Sequence, residues 1–388
     1  MAAGRKILAL GVSTAGGDWP PLAAVVLGLS QRGHSVRCFA DAPIATALRD
    51  TAVAVDAVRS DVSLRSYVTR WNQRMAAEPS AAGFIPIVTP LTEWSADTSA
   101  IVCDLISQFR PDIMLSQLIT MDLASRIKAR TGLPWCFVNP AYYFGQQSRR
   151  PFEEDFGPNE HPLFSYCRAL LDGADLVLHA TDVVFDPPPA QLPTHHRYLG
   201  PLLWEPSSIM PAFLAESGPP WVLVSLSLIQ QEEEIRFARA ALTALSASPV
   251  RVLLTLSESH SRDELLPLPA NARVEHYVSH TEVLKRACLL VSHAGHGVVL
   301  KALYYGVPMV LVPLGRDQPG VAARAKALGV AEVIPREALS DARLAKAVEA
   351  VLASPQYQIG AQRHAQRLRK QNPVGLACQA IEALLDMA

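Results

Sequence analysis

Residues 291–318 read VSHAGHGVVLKALYYGVPMVLVPLGRDQ. The apolar run Leu289, Leu290 and Val291 predicts a buried strand that stops at Ser292 and His293. Ala294, Gly295, His296 and Gly297 then make a small-residue turn, and 298–305 has helical spacing. Gly306, Val307 and Pro308 end that helix, 309–312 predicts a second buried strand, and 313–318 a polar loop. Strand, Gly-rich turn and helix aim unpaired helix N–H groups, and the positive end of the helix dipole, at an anion. His293 at the strand end adds a donor or a positive charge. The stretch reads as a phosphate cradle. The same turn also suits tight packing alone, and it does not follow GxGxxG, so the pentapeptide by itself leaves both open.

Outward from this stretch the chain alternates strand and helix in both directions. Residues 6–12 predict a strand, 22–32 a helix stopped by Gly33, and 36–39 a second strand, which is a βαβ unit and implies a parallel sheet. Helices are expected over 61–82 and 92–109, with 84–90 loop-like because of its prolines. Strand 113–115, helix 121–129, strand 135–139 and strand 176–179 follow. The stretch 204–220 is rich in Pro, Ser and Gly and reads as a linker. A second set begins at 221–225, with strands at 251–256 and 273–277 and helices at 232–245, 281–286, 322–328, 341–352, 357–370 and 376–387. The expectation is an α/β protein of two Rossmann-like domains facing across a cleft.

Composition fits that expectation. The chain has 388 residues, 49% hydrophobic and 18% charged, with formal net charge -1 and pI near 6.8. That length suits two domains, and that balance gives no electrostatic case for nucleic acid or an anionic membrane. No apolar run reaches the roughly 18 residues that span a bilayer. Arg5 and Lys6 before ILALGV resemble a signal peptide, but the apolar core is short and reads as the first strand. Six cysteines without a CxxC pair fit a reduced, cytoplasmic chain.

Two further constellations carry chemistry. Asp317 and Gln318 follow a buried strand, where ligands bind in α/β sheets, and an acid–amide pair suits sugar hydroxyls; a solvated loop is the plainer reading. Asp18, after Gly16 and Gly17 at the end of the first strand, is placed as a general base, or as a simple N-cap for the next helix. HExxH, GxSxG, GxxxxGK[ST] and Asp-x-Asp do not occur, and nothing completes a metal ligand set around the histidines.

On these residues the chain resembles the family 1 glycosyltransferases of the GT-B fold. The resemblance is strongest over SHAGHGVVLKALYYGVPMVLVPLGRDQPGVAARAKALGVA, residues 292–331, where His293, Gly295, Gly297, Ala302, Gly306, Pro308, Pro313, Asp317 and Gln318 fall in order on the donor-binding signature. Tyr277-Val278-Ser279-His280 is similar to the stretch whose aromatic stacks on the nucleobase. Gly17-Asp18-Trp19-Pro20-Pro21 looks like the acidic version of the catalytic loop, typical of antibiotic and sterol glycosyltransferases. Leu199-Gly200-Pro201 matches the end of the N-domain. The chain departs from the pattern where Leu228 and Val298 replace hydroxyl residues, Lys301 replaces a ribose-binding Glu, and Gln117 replaces an Asp.

The resemblance implies an acceptor-binding domain over 1–203, a linker over 204–220, a nucleotide-sugar domain over 221–373, and a C-terminal helix, 374–388, crossing back to the first domain. It implies an inverting hexosyltransferase acting on a hydroxyl of a small, largely apolar natural product, without metal. The donor is a TDP- or UDP-sugar co-substrate rather than a bound cofactor. Asp18 is the expected base. His293, Gly295, His296, Gly297, Val298 and Ser227 are expected at the diphosphate, Tyr277, Val278 and Lys301 at base and ribose, and Asp317 and Gln318 at the sugar. Trp71, Phe84, Trp94, Tyr142, Tyr143 and Phe144 are the expected acceptor wall. A homodimer is left open. The alternatives are a degenerate, non-catalytic activator of a partner glycosyltransferase, motivated by Leu228, Val298 and Lys301, and a GT-B-like nucleotide-sugar epimerase.

Overall fold

A computed structural model describes residues 4–13, 17–77, 88–145, 162–206, 210–227, 233–257 and 260–387. Seven strands form the first sheet: β1 (Lys6–Gly11), β2 (Ser35–Ala40), β3 (Ala54–Ala57), β4 (Ile113–Ser116), β5 (Trp135–Asn139), β6 (Leu176–His179) and β7 (His196–Tyr198). Six form the second: β8 (Trp221–Ser225), β9 (Arg251–Thr255), β10 (Ala272–Glu275), β11 (Ala287–Ser292), β12 (Met309–Leu311) and β13 (Ala331–Val333). Every pairing is parallel, in the orders β3-β2-β1-β4-β5-β6-β7 and β10-β9-β8-β11-β12-β13. Parallel sheets need both faces covered, so the central strands carry continuous apolar runs: Ile7 to Leu10, Val222 to Val224 and Leu289 to Val291 are all fully buried.

In each sheet the strand order reverses beside one central strand, β1/β4 in the first and β8/β11 in the second. The loops leaving the carboxyl ends there open into a crevice, which is where ligands bind in such sheets. Asp18 and Gln117 lie on the first pair of loops, Ser227 and His293 on the second.

The helix Pro373–Met387 returns from the second sheet to pack on the helix Trp19–Gln31. Gly28 permits this approach, because a Cβ there would lie 2.4 Å from Val374 Cγ1 and 3.1 Å from Cys378 Sγ. Arg32 donates to Glu382 at 2.7 and 2.6 Å on the same seam.

Several boundaries differ from the sequence expectation. The first helix begins at Trp19, with Pro20 and Pro21 inside its first turn, where proline's missing N–H costs nothing. For the same reason the helix Val88–Phe109 contains Pro90, a residue expected in a loop. The helix Gln318–Ala327 starts directly at Gln318. Strands β3, β7 and β13 have only three or four residues, too few to show a period, and the sequence reading did not include them. No helix among the described residues is long and apolar enough to cross a membrane.

Candidate active site

The cradle forms where β11 ends. Ser292 Oγ accepts from Ala294 N–H at 3.3 Å, and Ala294 turns the chain with φ of 68°, strained for a residue with a side chain. The helix His296–Tyr305 then begins at Gly295, with no side chain capping it. The two glycines serve different ends. A Cβ on Gly295 would lie 2.7 Å from His293 Nε2, so this glycine is required by packing. A Cβ on exposed Gly297 would meet nothing within 4 Å. The uncapped helix start therefore has free space on the Gly297 side, as an anion site requires.

His293 does not bring the positive charge that the sequence left open. Burial pulls its pKa down to about 4, so the ring is neutral, and Nδ1 donates to Ser225 O at 3.2 Å. That bond fixes the tautomer and leaves Nε2 beside Gly295. The His296 ring, expected at the diphosphate, points instead at the first domain. Its Nε2 lies 3.4 Å from Thr181 Oγ1, and its ring meets Tyr142 and Phe185 edge-on. Burial first, and Arg324 second, lower its pKa to about 3. Val298 sits half-buried in the first turn and offers no hydroxyl.

Ser227, at the end of β8, is held by Glu234 Oε1 on its backbone N–H at 2.8 Å and receives Arg316 Nη2 at 3.2 Å. Leu228 and Phe84 lie outside the described residues. Trp71 falls within the helix Leu64–Ala77, with its side chain outside them.

The base and ribose residues converge on a carboxylate the sequence reading did not single out. Tyr277 is 60% exposed beside buried Val278, a free aromatic face next to a backbone edge. Lys301 pairs with Glu205, whose other oxygen accepts from Ser279 Oγ at 2.6 Å and Thr281 N–H at 3.1 Å. Burial pushes Glu205 up, but Lys301 outweighs it and holds the carboxyl at about 2. Glu205 lay in the segment read as linker, 96 residues from Lys301. The one signal in the sequence was a lysine standing where a carboxylate was expected.

The acid stands opposite. Asp18 precedes the helix Trp19–Gln31, yet its side chain caps nothing. One oxygen accepts from the Ile119 backbone, and Oδ2 is sealed without a partner. Burial, then the charge of Asp317, raise its pKa to about 7. Gln117 steadies this loop by donating Nε2 to Val12 O at 2.7 Å. Asp317 likewise caps nothing, and burial raises its pKa. Gln318 is 2% exposed and its Oε1 accepts from Leu314 and Gly315 N–H at 2.8 and 3.1 Å. Its acceptor end therefore shapes the loop.

The aromatic wall needs correction. Trp94, Tyr142, Tyr143 and Phe144 are 1%, 0%, 4% and 1% exposed. Trp94 donates Nε1 to Val62 O at 3.0 Å, and Tyr143 packs against His179 and His196. Rings this large gain most from full burial, so these are core residues rather than an open surface. Tyr142, though buried, borders the cleft, under Arg324 at 3.9 Å and with its hydroxyl 3.4 Å from Asp317 O.

Two all-parallel sheets whose carboxyl ends meet across a cleft, an uncapped helix start on one side and a carboxyl on the other, define a GT-B fold. The glycosyltransferase of kitacinnamycin shares it with a TM-score of 0.75 at 19% identity, covering 99% of both chains. The calicheamicin glycosyltransferase shares it at 0.72 and 20% identity, covering 100% of this chain and 99% of that one. Residues 239–383 match the erythromycin biosynthesis protein CIII-like C-terminal domain. The 4'-demethylrebeccamycin synthase of Lentzea aerocolonigenes is 26% identical over 417 aligned residues, 94% of this chain and 95% of that protein. The demethyllactenocin mycarosyltransferase of Streptomyces fradiae is 26% identical, over 79% of this chain and 70% of its own length. These likenesses, over nearly the whole chain in the first relative, are to glycosyltransferases, and they support a glycosyltransferase of the GT-B fold. The non-catalytic and epimerase alternatives gain no support from these relatives.

Proposed function

We propose that the chain transfers a hexose, with inversion, from a TDP- or UDP-sugar to a hydroxyl of a small, largely apolar natural product. The observation that carries this is Asp18: uncapping, sealed on one oxygen, facing Asp317 across the cleft, with a pKa near 7. The acceptor oxygen bonds to the sugar C1 from the face opposite the nucleotide. The C1–oxygen bond to the diphosphate breaks and its electron pair leaves with the nucleoside diphosphate. The acceptor proton passes to Asp18. Desolvation makes this carboxylate a far better base than an ordinary aspartate.

The helix start at His296 to Val298 supplies fixed dipoles where charge grows on the departing diphosphate. Tyr277 offers the nucleobase a stacking face, and Asp317 faces the sugar. The acceptor class rests on the relatives, named for demethylrebeccamycin and demethyllactenocin, and on the matching domain, named for erythromycin biosynthesis. Asp18→Asn tests the reading: turnover falls by about 10²-fold or more while nucleoside diphosphate affinity is kept. Unchanged turnover would remove Asp18 from the mechanism.

A further inference from the structure

The donor site as built from the cradle is short of positive charge. His293 is neutral, Lys301 is committed to Glu205, and Val298 has no side-chain donor. A diphosphate leaving group accumulates negative charge as the sugar departs, and fixed dipoles alone leave it without a counter-ion.

Arg316 lies on the loop after β12, yet its Nη2 reaches Ser227 Oγ, on the loop after β8, at 3.2 Å. Between β12 and β8 lies β11. The two loops are therefore two strand spacings apart, about 9.6 Å, with the 293–295 turn between them. A side chain joining them spans the gap that the turn occupies, within range of His293. The backbone at Arg316 has φ of 57°, and the described chain holds four such non-glycine residues. Three of them, Glu233, Ala294 and Arg316, sit on the loops after β8, β11 and β12. Strain concentrated on three neighbouring loops marks a geometry held for a purpose other than stability.

We infer that Arg316 binds the diphosphate of the donor, lying over the cradle as the cation that stabilises the leaving group. The inference rests on the donor site proposed above. Asp317, Glu234 and Asp18 all face the same guanidinium, and His293 lies within range of its charge. Arg316 thus lies within electrostatic range of both the base that receives the acceptor proton and His293 beside the cradle. A guanidinium donates two parallel hydrogen bonds to a phosphate, which an ammonium cannot reproduce.

The test is equilibrium binding of nucleoside diphosphate and monophosphate pairs, TDP with TMP and UDP with UMP, to the full chain. Arg316→Gln is expected to cut the preference for diphosphate over monophosphate by about 10- to 100-fold, while monophosphate affinity stays within about twofold. Arg316→Met serves if the glutamine variant does not fold, and Arg316→Lys is expected to retain part of the preference. A folded neutral variant with the unaltered preference would overturn the assignment. If the unaltered chain binds no nucleotide of either pair, the donor site itself fails, and Arg316 with it.

Discussion

At the scale of single residues, Asp18 makes the sharpest prediction. Its pKa is raised on folding to about 7, chiefly by burial. As a base it acts only when deprotonated, so kcat/KM should fall tenfold per pH unit below about 7 in a pH–rate profile. A carboxyl with an ordinary pKa would hold the rate flat down to about pH 4. The sign for stability is the reverse of the usual carboxylate. Between about pH 4 and 7 the unfolded chain has lost a proton that the folded chain keeps, so stability through this group falls as pH rises. Asp18→Asn removes that slope in denaturant titrations.

Glu205 and Lys301 predict donor choice. A carboxylate that holds both ribose hydroxyls needs both oxygens, and those of Glu205 are taken by Lys301, Ser279 and Thr281. A 2'-hydroxyl buried here must compete with Lys301 for an acceptor, and leaving it unpaired costs about 1–3 kcal/mol. A TDP-sugar should therefore exceed the matching UDP-sugar in kcat/KM by about tenfold. An equal or inverted ratio in a paired kinetic assay would show that a carboxylate is available to the ribose.

At the scale of elements, the Gly-rich turn separates packing from function. Gly297 lies in a helix with open space at its Cβ, so Gly297→Ala should leave stability in urea unfolding unchanged or raise it by up to about 1 kcal/mol. Its methyl group stands where the anion would sit, and TDP affinity in calorimetry should fall about tenfold. A stable variant with full affinity would mean the turn is packing alone.

The same stretch shows what the sequence made legible. Continuous apolar runs such as 289–291 announced buried parallel strands, and the strand–turn–helix order announced the cradle. Short edge strands such as β7 and β13 announced nothing, because three residues carry no period. Side-chain direction was hidden for a related reason. His296 turns to Thr181, and Tyr143 to His179 and His196, through contacts with chain far away in sequence. Glu205 was hidden because its partner is 96 residues away.

At the scale of the whole molecule, the two domains are fastened behind the cleft by the turn after β6. Asp186, 2% exposed, accepts from Arg324 Nε at 3.0 Å, and Asp182, 1% exposed, accepts from Arg367 at 2.5 and 2.7 Å. Removing one partner strands the other charge inside. Arg324→Met should cost about 3–5 kcal/mol in urea unfolding. A loss under about 1 kcal/mol would show that water reaches Asp186.

Transfer by this chain requires a nucleoside diphosphate site at the meeting of the two sheets. Thermal unfolding of the purified chain with UDP, TDP and GDP tests it most directly. A ligand at 100 times its Kd adds about 2.7 kcal/mol of stability. The midpoint is expected to rise with TDP, less with UDP, and with neither in Gly297→Asp, which places a carboxylate where the phosphate belongs. No response to any of the three nucleotides would contradict that site.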